Sequence, residues 1–256
     1  MEKFEVIFIG TKEREIREVG VTQEAPLTLE VNCKEMATLL CSPTDLENLV
    51  IGFLYNSGVI TDAAAVESLI IDKELWKASI GIDPETLPGE FVFKRVYTSG
   101  CGKGIIFHNP LDVLQRDRLD SDFVIEGKRV FELMKTFLNF SEEHKSTRGV
   151  HSAAVASREG EMLIFRDDLG RHNAVDKVIG EALAQGLNFE DKWLLTSGRI
   201  SSEITSKMLR CRIPLVVSSG APTDQAVKIA RDVGLGMATL AKGGGLNLYS
   251  CAERVS

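Results

Sequence analysis

The sequence predicts an α/β protein, α+β overall: a mainly parallel sheet covered by helices, preceded by a smaller strand-rich part with one clear helix. Three observations predict it. From residue 150 onward, strand and helix patterns alternate, as they do when crossover helices link parallel strands. The first hundred residues read mostly as short strands bounded by turn residues. In the second half, the polar and glycine-rich clusters fall where strands end and helices begin.

The elements follow in order. Phe4–Ile9 alternates as a strand does, and 27–32 and 36–41 form a hairpin around Cys33-Lys34-Glu35. Ser42 is a natural N-cap, Pro43 suits the first helical position and Asp45 suits the positive end of the dipole. Leu46, Leu49, Val50, Phe53 and Leu54 give that helix one apolar face, and Asn56-Ser57-Gly58 ends it. Strands are predicted at 66–72, 75–82 and 91–96. Asn109-Pro110 marks a turn, and 111–119 a short helix. Val130, Leu133, Met134, Phe137 and Leu138 recur at helical spacing, so 124–140 is a helix linking two halves. The boundary is placed near residue 120, giving domains 1–120 and 121–256. Strands at 150–156, 162–166, 193–196, 213–218, 235–241 and 246–249 then alternate with helices at 171–185, 201–210 and 222–233.

Bulk composition narrows the function. The chain has 256 residues, 44% hydrophobic and 26% charged, which is ordinary for a globular protein. Its net charge of −7 disfavours nucleic acid and anionic membrane as partners. The N-terminus lacks a signal-peptide pattern, and no apolar run approaches the roughly 20 residues of a membrane helix. A cytoplasmic protein is expected. Five cysteines, with no Cys-x-x-Cys pair, argue against a disulfide framework or a zinc knuckle. Cys33, Cys41 and Cys211 read as core or near-core thiols, and Cys251 is undecided.

The polar clusters are 167–173, Ser197-Gly198-Arg199, 218–222 and 242–245. Ligands of open parallel sheets bind beyond the carboxyl ends of the strands, where helix N-termini offer N–H groups suited to phosphate. Four such clusters could share one rim. Arg171, Arg199 and Lys242 would add charge for a phosphorylated, nucleotide-like ligand, with His172, Ser197 and Ser219 beside them. The blander reading is that polar strand-to-helix loops are the norm. P-loop, Gly-x-Gly-x-x-Gly, zinc-deaminase and serine-elbow motifs are absent. Of the histidines, His108 reads as a loop base or a surface residue, and His144 as solvated. His151 could line the rim or cap the sheet. His172 reads as a neutral imidazole that bonds a ligand or Asp168, since charge is disfavoured at a helix N-terminus.

One loop stands apart. In Val-Tyr-Thr-Ser-Gly-Cys-Gly-Lys-Gly, residues 96–104, Cys101 sits between glycines with Lys103 beside it. Nearby positive charge and converging amides favour thiolate, the reactive form. The alternative is a glycine-rich turn with an incidental small residue.

Taken together, Gly149-Val150-His151-Ser152-Ala153-Ala154, the block Asp168-Leu169-Gly170-Arg171-His172-Asn173-Ala174-Val175-Asp176-Lys177, Ser197-Gly198-Arg199-Ile200-Ser201-Ser202-Glu203 and Ser219-Gly220-Ala221-Pro222-Thr223 resemble the formate dehydrogenase accessory sulfurtransferases, the FdhD/NarQ family. The resemblance implies a cytidine-deaminase-like, three-layer C-terminal domain without its zinc site. It implies a sulfurtransferase: a cysteine desulfurase loads Cys101 as a persulfide, and the sulfur passes to the molybdenum cofactor, a bis-molybdopterin guanine dinucleotide, before formate dehydrogenase receives it. No metal would be held directly by the protein. The implied cofactor segment is Leu240, Ala241, Lys242, Gly243, Gly244 and Gly245, and the implied assembly is a homodimer. The family pattern has a second cysteine where this chain has Gly104, so the loop is expected to work with one sulfur. A non-catalytic cofactor-binding chaperone of formate dehydrogenase is the alternative.

Overall fold

The structure is a computed structural model that describes residues 1–87, 118–241 and 243–256. The expected strand at 91–96, the Cys101 loop, His108, the Asn109-Pro110 turn, most of the 111–119 helix and Lys242 lie outside the described residues.

The chain begins with a two-stranded antiparallel ribbon, β1 (Glu2–Ile9) and β2 (Arg14–Val21). A four-stranded sheet follows, built from β3 (Ala25–Val31), β4 (Lys34–Cys41), β5 (Val66–Asp72) and β6 (Lys77–Ile82) in the order β4-β3-β6-β5. The β3–β4 turn is Asn32-Cys33, with φ of 47° and 62°, the left-handed pair that a two-residue hairpin loop requires. Cys33 is therefore exposed at a turn, not a near-core thiol. Helix α1 (Leu46–Asn56) lays Leu46, Leu49, Val50 and Leu54 on this sheet. Each fully buried side chain of that kind contributes about 1.5–3 kcal/mol.

Ser42 is not the N-cap of α1. Asp45 holds that position, in a left-handed conformation and without a side-chain cap. Ser42 is buried, and it bonds across to the second half instead: its N–H donates to Asp168 Oδ2 (3.0 Å), and its Oγ accepts from Leu169 N (3.0 Å). A local capping rule lost to a tertiary demand.

The second half is an α/β layer structure. Its strands are β7 (His151–Ser157), β8 (Met162–Asp168), β9 (Lys192–Thr196), β10 (Leu215–Ser218), β11 (Gly236–Ala241) and β12 (Gly245–Ser250), in the order β12-β11-β10-β9-β7-β8. The sheet is mixed. β9, β10 and β11 run parallel, whereas β7–β8, β7–β9 and β11–β12 are antiparallel. The tight connections explain the hairpin pairs: a parallel partner needs a crossover of a dozen or more residues, and 158–161 and 242–244 are too short for one.

Helices cover both faces. α2 (Gly127–Leu138) packs Val130, Leu133, Met134 and Phe137 against Ala154, Ala156, Trp193, Leu195, Leu215 and Val217. The alternate residues Ala153, Val155, Leu194 and Val216 face α4 (Arg171–Ala184), α5 (Ser202–Cys211) and α6 (Asp224–Val233). That period-two alternation is why these strands are apolar throughout. Pro222 precedes α6, whose N-cap is Thr223. The short α3 (Glu142–Thr147), capped by Ser141, had no apolar face to announce it.

The halves meet where α1 crosses α4. A Cβ added at Gly52 would sit 1.9 Å from Asp176 O, and one added at Gly180 would sit 1.9 Å from Asn48 O. The two backbones touch, and only glycine allows it.

Candidate functional site

Because β9, β10 and β11 are parallel, their carboxyl ends share one edge of the sheet. β7 runs the opposite way, so its first residue, His151, reaches that edge beside the end of β8, its Cα partner being Asp168. The clusters separated in sequence thus converge. Phe137, Leu138, His144, Arg148, Gly149, Val150, His151, Ser152, Leu169, Ser197 and Ser219 line a cleft of about 310 Å³ there.

The loops are tied together at its floor. Ser197 N donates to Ser152 O (3.0 Å), and Ser197 Oγ accepts from Ser152 N (2.9 Å) with His151 Nδ1 at 3.3 Å. Ser219 N donates to Thr196 O (3.2 Å) and its Oγ donates to Ser197 O (3.4 Å). Ser218 Oγ donates to Gly198 O (2.6 Å) and accepts from Gly220 N (2.8 Å). Arg171 lies over Gly198, where an added Cβ would come within 2.7 Å of the arginine Cβ. Burial first, then the Arg171 charge, hold His151 below its ordinary pKa. The imidazole is neutral at pH 7, with one ring nitrogen able to accept and the other to donate.

His172 is neutral as expected, but its partner is not Asp168. Its Nε2 lies 3.3 Å from Ser201 Oγ and 3.4 Å from Glu203 Oε2. Burial, then Lys207 and Arg171, hold its pKa down to about 2. Burial pushes Glu203 the other way, upward.

The structure therefore splits the predicted residues. Ser197 and Ser219 line the cleft, and Arg171 leans over the adjoining loop. Arg199 is exposed, while His172 faces α5. Leu240 and Ala241 end β11 on the same edge, and Gly243 and Gly244 turn the chain into β12 with φ of 85° and 86°. Gly245 opens β12. None of Leu240, Ala241, Gly243, Gly244 and Gly245 lines the cleft. His144 and Arg148, read as solvated or unremarked, do line it, because α3 lies at the cleft wall. Their signal was weak: a basic cluster, His144-Lys145 and Arg148, just before β7.

The other charged residues of the Asp168–Lys177 block do structural work. Asp168 and Lys177 are both fully buried and pair at 2.7 Å. Asp168 also accepts from Ser42 N, Gly170 N (2.8 Å) and Asn173 Nδ2 (2.9 Å). Lys177 donates further to Ser42 O, Thr44 Oγ1 and Asp167 O, at 3.2–3.4 Å. Asp176 pairs with Lys207 at 2.7 Å and accepts from Asn56 Nδ2 (2.6 Å) on α1. These two pairs fasten the first half to the rim.

The chain is thus an α/β protein with a hydrogen-bonded cleft at the carboxyl edge of a mixed sheet. Among the described residues, no group of three or more His, Cys, Asp or Glu is placed to hold a metal ion, and no helix is long and apolar enough to cross a membrane. The chain belongs to the FdhD/NarQ family, whose profile matches residues 22–256. It is 37% identical over 233 residues to the sulfur carrier protein FdhD of Bacillus subtilis strain 168, covering 91% of this chain and 88% of that one. It is 39% identical over 245 residues to the protein of the same name in Halalkalibacterium halodurans, covering 93% and 89%. Its fold matches a crystal structure from Desulfotalea psychrophila, described as a formate dehydrogenase accessory protein, with a TM-score of 0.80 over 100% of this chain and 99% of that one. At 21% identity, that likeness is one of fold.

Proposed function

We propose that the chain is a sulfur carrier serving formate dehydrogenase, and that it works as a cytoplasmic homodimer. In this reading the Cys101 thiolate attacks the terminal sulfur of a cysteine desulfurase persulfide. The desulfurase S–S bond breaks, its cysteine leaves as thiolate, and Cys101 becomes the persulfide. The terminal sulfur then passes to the molybdenum cofactor, which is substrate and not a resident group.

The observation that supports this reading best is the convergence of His151, Ser197 and Ser219 on one cleft, in a chain whose curated relatives are named sulfur carriers. A cleft with neutral imidazole, hydroxyls and the Arg148 guanidinium suits the phosphates and sugar edges of a guanine dinucleotide. Leu240 and Ala241, at the same edge, and Gly243, Gly244 and Gly245 beyond them would extend the surface offered to it. The other thiols compete poorly. Burial pushes Cys41 up to about 12, and pushes Cys211 up as well, so neither ionises near neutrality. Cys251 is half-buried and also raised.

The test is intact mass after incubation with a desulfurase and cysteine. The wild type should gain one sulfur, and Cys101→Ala should not. An unmodified wild type, or an equal adduct on Cys101→Ala, would overturn the assignment.

A further inference from the structure

The ribbon β1–β2 lies almost wholly outside the matched family region, and pairs with no third strand among the described residues. Its register runs without a shift from Glu2↔Val21 to Ile9↔Arg14. The edge of β2 thus has neither bulge nor proline, the usual devices against edge pairing. What it has is charge, and the charge is self-complementary. Residues 14–18 read Arg-Glu-Ile-Arg-Glu. Laid antiparallel on itself about Ile16, this run sets Arg14 opposite the second copy's Glu18, Glu15 opposite its Arg17, and Ile16 opposite its Ile16. Every charge meets its opposite, in a chain whose net charge of −7 otherwise repels a copy of itself.

The apolar residues agree with that axis. Ile7 is the Cα partner of Ile16, and the two are 57% and 67% exposed. Pairing about Ile16 would line up Ile7, Ile16 and their two equivalents as one row across a four-stranded sheet. The body meets β2 near its end, where a Cβ added at Gly20 would lie 3.7 Å from Thr147 Cγ2 on α3, so each body begins four residues, about 14 Å, from the axis and on opposite sides of it.

We infer that β2 is a homodimer interface, pairing antiparallel with β2 of a second copy about a two-fold axis at Ile16. The inference takes the homodimer proposed above as its premise and names its surface. An isologous contact of this kind is self-closing, so it stops at two.

Charge exchange tests it on the full chain. Arg14→Glu sets a carboxylate against the second copy's Glu18, and Glu18→Arg sets a guanidinium against its Arg14. Each variant alone should dimerise at least tenfold more weakly in sedimentation equilibrium. Mixed, the two should recover a heterodimer near wild-type affinity, because each clash then faces its complement. The recovery also shows that both variants are folded, and the lost Lys3–Glu18 pair is exposed and of little weight. A wild-type dimer that both variants retain undiminished would overturn the β2 interface while leaving the homodimer standing. Variants that stay monomeric when mixed would also overturn it. A wild type monomeric throughout the concentration range would overturn both.

Discussion

Replacing Lys177 by methionine removes the counter-ion from a carboxylate with no exposed surface. In the wild type, Lys177 Nζ lies 2.7 Å from Asp168 Oδ2, both side chains are 0% exposed, and three further oxygens accept from the ammonium. Methionine fills the volume but satisfies none of them. Breaking one side of a buried pair costs about 3–5 kcal/mol, because the surviving charge keeps its desolvation penalty. Asp168 retains three N–H donors, from Ser42, Gly170 and Asn173. Those soften the loss, so the lower half of that range, about 3–4 kcal/mol, is expected. Asp168→Asn with Lys177→Met should recover about half of it, since the charge is gone but the amide cannot accept at every N–H the carboxylate served. Urea denaturation reads both, provided the slope is unchanged. A loss below about 1 kcal/mol, or a double variant weaker than the single, would refute the view that this pair is a charge hub rather than an incidental contact.

Three further perturbations follow from the same geometry. Gly180→Ala drives a methyl into Asn48 O, 1.9 Å from its Cβ, and should lower stability by about 1–3 kcal/mol or more, read as a fall in urea midpoint. His172 has a folded pKa of about 2 against an ordinary 6.5, so between those values the unfolded chain binds a proton that the native chain does not, and stability falls as pH drops below about 6.5. At pH 5 that group alone costs about 2 kcal/mol, and His172→Gln should flatten the slope of urea midpoint between pH 7 and 5. Glu203, raised by burial, acts oppositely above its unfolded pKa and partly masks the effect, so Glu203→Gln should steepen the same slope. Ser219→Glu puts a carboxylate at the cleft mouth and should weaken guanosine diphosphate binding about tenfold or more by isothermal titration; unchanged affinity would place the nucleotide elsewhere.

What was legible in the sequence was whatever a repeating pattern encodes. The apolar faces of α1, α2 and α4 and the apolar runs of β7 to β11 each repeat a burial rule many times, so single exceptions do not hide them. The parallel order of β9, β10 and β11 followed from the helices between them. β2 was missed because its apolar residues, Ile16, Val19 and Val21, do not alternate and are all exposed. The mixed pairing was missed because strand direction rests on connection length, and 157–161 reads equally as a hairpin turn or a short loop.

The rim shows a different limit. Asp168, Arg171, His172, Asp176 and Lys177 stand within ten residues, and sequence spacing cannot say which of them face a ligand. Helical geometry decides it. Asp176 and Lys177 lie one and a half turns into α4, so their side chains meet α5 and the α1 entry loop rather than solvent. His172 is turned to Ser201 at the start of α5. What remains at the cleft comes from α2, α3, the start of β7 and the loops that follow β8, β9 and β10, segments joined only by the fold. The stretch that looks most like chemistry in the sequence is thus largely the fastening that holds the cleft in shape. Substitutions there should change stability before they change ligand affinity, and His151, Ser197 and Ser219 should do the reverse.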